Sequence, residues 1–78
     1  MRLSGLRIQK VMTQKELAAK AGVAAVTVAA IERGKQLPTP KTSRKLADAL
    51  GVQATEIDEV RQAIERSLSK RKPGQGLA

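Results

Sequence analysis

The sequence predicts an all-α domain of five short helices, and three observations carry that reading. Apolar residues recur at helical spacing, as in Leu17, Ala18 and Ala21, and again in Ile57, Val60, Ile64 and Leu68. Start and stop residues bracket the candidate helices: Thr13 and Thr39 at beginnings, Gly22, Gly34 and Gly51 at ends. Two of the helices meet at a tight turn centred on Gly22, where a left-handed residue costs least.

Taken in order, Met1 to Lys10 reads as a first helix through Leu3 and Leu6, weakened by Gly5. The link Val11-Met12 lacks the usual stop glycine, and a β-branched residue there has no local explanation. Thr13 and Glu16 form a capping box that opens the second helix, which Gly22 ends. Val28 and Ile31 resume the helical period until Gly34. Thr39 as N-cap and Pro40 at the first helical position open a fourth helix over about 40–50. It turns Leu46, Ala47 and Leu50 inward and Lys41, Arg44 and Lys45 outward. A fifth helix is expected to open at Thr55, with Asp58 three residues on, and to end near Arg66 and Lys70. Residues 1–69 are read as one domain and 70–78 as a disordered basic tail.

Composition removes several function classes. The chain of 78 residues is the size of one small domain. It has no Cys and no His, which leaves no thiolate or imidazole for a metal site or for catalysis. No Gly-rich phosphate loop is present, so neither an enzyme nor a cofactor-dependent or metal-dependent protein is expected. No apolar run approaches the roughly 20 residues of a membrane span. A cytoplasmic protein without membrane contact or a small-molecule substrate is expected. Residues 1–45 hold ten basic side chains against Glu16 and Glu32, whereas 46–69 hold two against five acidic ones. This asymmetry in a chain of net charge +8 predicts a polyanion-binding face at the front. Without Phe, Tyr or Trp there is nothing on which to stack unpaired bases, so duplex DNA is the expected polyanion.

Residues 13–34, two short helices around a Gly turn with the second free to project outward, make a helix-turn-helix. With LRIQK at 6–10, MTQKELAAKAGV at 12–23, TVAAIERGK at 27–35 and LADALGV at 46–52, the chain resembles the lambda-repressor-like (Xre, or Cro/repressor) family over about residues 3–60. The resemblance implies a compact five-helix domain in which Arg7 and Glu32 form a structural ion pair between the first and third helices. It also implies that Gln14 hydrogen-bonds a phosphate at the start of the second helix. Lys15, Arg33, Lys35, Lys41 and Arg44 are candidates for further phosphate contacts.

In this family the third helix enters the major groove. Its reading positions here are Ala24, Ala25, Val26, Thr27, Ala29 and Ala30, where Ser, Gln, Arg, Asn or Lys are usual. Bidentate base readout needs Arg, Asn or Gln, and none stands there. The expected function is a duplex-DNA-binding transcriptional regulator of the repressor type, acting as a homodimer through Ile64 and Leu68. The alternative is a helix-turn-helix protein-interaction module, such as an antitoxin or controller protein with weak base specificity and a protein partner.

Overall fold

Four helices end in the same hydrogen-bonded closure, and that closure sets the path of the chain. The structure is a computed structural model and describes residues 1–70. Helix α1 spans Leu3–Gln9, α2 Gln14–Ala21, α3 Ala25–Glu32, α4 Pro40–Leu50 and α5 Asp58–Lys70. A single 3-10 turn, Ala54–Glu56, precedes α5. At the ends of α1 to α4 an N–H reaches back five residues: Met12 to Arg7 (3.1 Å), Val23 to Ala18 (3.0 Å), Lys35 to Ala30 (2.9 Å) and Val52 to Ala47 (3.1 Å). These are Schellman closures, which need a left-handed residue just before the donor. Gly22, Gly34 and Gly51 serve with φ of 72°, 77° and 68°, and the fourth is Val11 at 54°. The residue that local sequence does not explain is thus the left-handed end of α1. Met12, Val23 and Val52, each following one of these closures, pack against the core.

The helix starts are less uniform. Thr13 Oγ1 accepts the Glu16 N–H at 3.0 Å, and the Glu16 carboxylate accepts the Thr13 N–H at 2.8 Å, completing the capping box of α2. Thr39 caps α4 by accepting the Thr42 N–H at 3.2 Å, with Pro40 in the first turn. Buried Ser43 donates its hydroxyl to the Thr39 carbonyl at 2.8 Å. Ala24 gives α3 no side-chain cap, an omission that costs about 1 kcal/mol relative to Ser or Thr.

The expected start of the fifth helix at Thr55 is corrected. Thr55 lies in the 3-10 turn, and Ile57 is extended (φ −87°, ψ 117°) with its side chain fully buried. That extended residue drives Ile57 into the core and delays α5 to Asp58. The first helix is likewise shorter than expected, because Met1 pairs with the start of α5 and Arg2 is extended (φ −67°, ψ 152°). The Met1 amine donates to the Glu56 carbonyl (2.9 Å) and to Asp58 Oδ1 (2.8 Å), and the Asp58 N–H donates to the Met1 carbonyl (2.8 Å). Buried Glu59 accepts the Leu3 N–H at 2.8 Å, so α5 supplies the missing cap of α1. Residues 71–78, most of the expected tail, lie outside the described residues, and Lys70 belongs to α5.

Helix α2 packs on α3 and α4, α1 on α3, and the 3-10 turn on α4 and α5. The core gathers Leu3, Leu17, Val28, Ile31, Leu46, Leu50 and Ile57, all fully buried, around the small residues Ala18, Ala21 and Ala47. Small side chains at Ala18 and Ala21 allow α2 a close crossing with its neighbours.

Arg7 and Glu32 brace this packing. Arg7 Nε donates to Glu32 Oε2 at 2.7 Å and Nη2 to Oε1 at 3.1 Å, a bidentate fork. Nη1 donates to the Met12 carbonyl at 2.8 Å. Gln14 Nε2 adds a bond to Glu32 Oε1 at 2.9 Å. The Arg7 and Glu32 side chains are only 15% and 7% exposed. Burial pushes the Glu32 carboxyl up, but hydrogen bonds from Arg7 and Gln14 and the Arg7 charge outweigh it, leaving the group below its ordinary value.

Two predictions follow from strain and charge. Val11 is 87% exposed, so Val11→Gly loses no packing while relieving a left-handed penalty of roughly 1–2 kcal/mol, partly offset by glycine's greater chain entropy. A net gain of about 1 kcal/mol raises the thermal midpoint by roughly 4–8 °C; a midpoint at or below that of the parent refutes the strain reading. Glu32→Ala strands the Arg7 cation and costs about 3 kcal/mol in urea unfolding. Because the folded Glu32 is depressed below an unfolded value of about 4.3, its contribution is complete above that pH and fades as pH falls through the folded value. The parent therefore loses more stability below about pH 4.3 than Glu32→Ala does. Asp58, held low by its hydrogen bond from the N-terminal amine, leaves the variant a residual slope in the same direction.

Candidate nucleic-acid interface

Helix α3 carries no charged side chain from Ala25 to Ile31. Val28 and Ile31 are fully buried and fix its inner face, and Val26 points the other way at 72% exposure. Ala24 is also exposed, whereas Thr27, Ala29 and Ala30 are half-buried. Ala25 is half-buried and packs against the core. The helix therefore presents a narrow apolar ridge led by Val26, with the Thr27 hydroxyl beside it.

Exposed basic residues stand on the elements around α3. Lys15, Arg33, Lys35, Lys41 and Arg44 are all exposed. The Gln14–Glu32 hydrogen bond ties the first turn of α2 to the last turn of α3, which brings the neighbourhoods of Lys15 and Arg33 together. Gln14 donates one side-chain amide hydrogen to Glu32, and its NH2 group keeps a second donor for another acceptor. In the first turn of α2, Thr13 takes the Glu16 N–H, and the N–H groups of Gln14 and Lys15 sit at the positive end of the helix dipole.

Not all the basic residues share this location. Arg33 and Lys35 line a polar recess with Arg2 and Arg66, two residues that sequence reasoning did not connect with them. Arg2 and Arg66 are distant in sequence, and the contacts of Met1 and Leu3 with Glu56, Asp58 and Glu59 join their two segments. Arg44 lines a different feature, an apolar groove of about 700 Å³ between the α3–α4 connection and α5. Leu37, Pro38, Val60 and Ala63 form its walls, and Ile64 and Leu68 lie along its edge. Ile64 is 44% and Leu68 59% exposed, one turn apart on the outer half of α5. Among the described residues no group of three or more His, Cys, Asp or Glu side chains is placed to hold a metal ion. No helix of the described residues is long and apolar enough to cross a membrane.

The arrangement matches known proteins over most of its length. A helix-turn-helix family model matches residues 4–57. An uncharacterized HTH-type transcriptional regulator, y4dJ of Sinorhizobium fredii (strain NBRC 101917 / NGR234), is 40% identical over 52 residues, covering 67% of this chain and 68% of the relative. Among solved structures, a point mutant of the restriction–modification controller protein C.Esp1396I aligns with a TM-score of 0.64 at 25% identity, over 88% of this chain and 87% of that one. The matched span contains α1 to α4 together with the Arg7–Glu32 brace, and the chain belongs to the lambda-repressor-like helix-turn-helix family.

Proposed function

We propose that the chain is a non-enzymatic transcriptional regulator of the repressor type that binds duplex DNA as a homodimer in the cytoplasm. The observation that carries the reading is a helix α3 with no charge from Ala25 to Ile31 and an outward Val26, in a front half of ten basic and two acidic side chains. A major groove is lined by phosphates on both rims, so a slim uncharged helix on a basic domain is complementary to it. Lys15, Arg33 and Lys35, with the free N–H groups of the first α2 turn, position the backbone; Lys41 and Arg44 add charge on α4. Family membership and likeness to a transcriptional regulator support the same reading.

Pairing through α5 completes it. Ile64 and Leu68 beside an apolar groove offer a surface that a second copy can cover, and two-fold pairing would set half-sites about 34 Å apart. A second reading, a controller or antitoxin-like module whose main contact is a protein, is favoured by the same exposed α5 edge and by the likeness to a restriction–modification controller protein.

Titrating random-sequence duplex DNA across salt separates the two. The regulator reading expects tight binding at low salt that falls steeply as salt rises; no binding at low salt overturns it. Lys15→Ala and Lys35→Ala each weaken all sequences alike and reduce the salt slope by about one. Light scattering tests the pairing: the parent has twice the chain mass, and Ile64→Glu with Leu68→Glu has the mass of one chain. An unchanged mass in that variant removes α5 from the interface.

A further inference from the structure

We infer that the ridge of α3 reads the 5-methyl group of pyrimidines, and so treats thymine and 5-methylcytosine as equivalents; the inference rests on the proposed docking of α3 in a duplex groove. Base edges in the major groove offer hydrogen-bond donors, acceptors and one apolar feature, the methyl at pyrimidine C5. From Ala24 to Ile31 the chain has no Arg, Lys, Asn, Gln, Asp or Glu with which to read the polar features, and its one polar side chain, Thr27, is half-buried. What it presents instead is Val26, with two methyl groups at 72% exposure, and the small side chain of exposed Ala24 two residues earlier. Short side chains let the helix backbone approach the base edges closely, so the isopropyl group of Val26 meets whatever projects from them. Only a methyl offers it apolar area to cover.

The width of the ridge and the charge of the domain argue for a groove over an apolar protein surface as the occupant. The ridge is one valine wide and lacks the aromatic or arginine anchors of protein interfaces. The front of the chain, residues 1–45, carries ten basic side chains against two acidic ones, with Lys15 and Arg33 exposed, a charge that complements phosphates. Cytosine carries no C5 substituent and 5-methylcytosine does, so the ridge senses cytosine methylation with the same contact that senses thymine. Burying one methyl is worth about fourfold in affinity.

The test uses the full chain and fluorescence anisotropy at fixed low salt. The tightest duplex from a random-sequence selection is resynthesised with uracil for thymine, and with selected T·A pairs changed to C·G or to 5-methyl-C·G. Uracil or cytosine at a contacted position is expected to weaken binding about fourfold, with 5-methylcytosine restoring it. Val26→Ser, and in smaller degree Val26→Ala, reduces the difference between methylated and unmethylated duplexes while leaving the salt dependence intact. Equal affinity for thymine and uracil duplexes overturns the inference but leaves DNA binding standing. So does a cytosine loss that the methyl does not restore, or a difference that persists undiminished in Val26→Ser, which assigns it to DNA shape. Absence of binding to every duplex at low salt overturns this inference together with the regulator reading.

Discussion

One guanidinium holds the front of this domain together. Arg7 grips both oxygens of Glu32 and the carbonyl of Met12, and Glu32 in turn takes the Gln14 amide. Those four residues come from α1, its left-handed exit, α2 and α3. The fork therefore fixes the angle at which α3 leaves the body as well as the register of α2 beneath it. The pair is nearly closed to solvent, so neither charge has water as a substitute partner. Orientation of the outward ridge thus depends on a contact made on the opposite side of the same helix.

Much of the fold was legible because its signals are local. Thr13–Glu16, Thr39–Pro40 and the glycines after α2, α3 and α4 act within one turn of the chain, and the structure places those boundaries where the residues put them. The misreadings share a cause. Thr55 looked like a cap, yet Ile57 was needed in the core and Asp58 was occupied by Met1, a partner more than fifty residues away. Glu59 serves α1 over a similar separation. Val11 had no local rationale because the Schellman closure of α1 imposes its backbone and solvent leaves its side chain alone.

The candidate interface was legible by type but less so by position. Charge asymmetry and a helix-turn-helix pattern identify a basic face without saying which cations share it. The structure groups Arg33 and Lys35 with Arg2 and Arg66, and draws Arg44 toward the α5 groove. It also packs half-buried Ala25 against the core. A sequence cannot show that the Gln14 amide also bonds a glutamate eighteen residues later.

The seal between Met1–Leu3 and Glu56–Glu59 joins segments separated by nearly the whole domain. Closing so long a loop carries a larger entropy penalty than joining α2 to α3, although the penalty grows only logarithmically with length. The seal adds hydrogen bonds and one exposed ion pair to the buried side chains of Leu3 and Ile57, while the helix-turn-helix packs through residues close in the chain. Chain topology thus divides the domain into a central unit that assembles from near neighbours and a clasp that closes around it. The outer half of α5, with Ile64 and Leu68, hangs from the clasp, so a partner bound there would tighten the first turn of α1 without touching it.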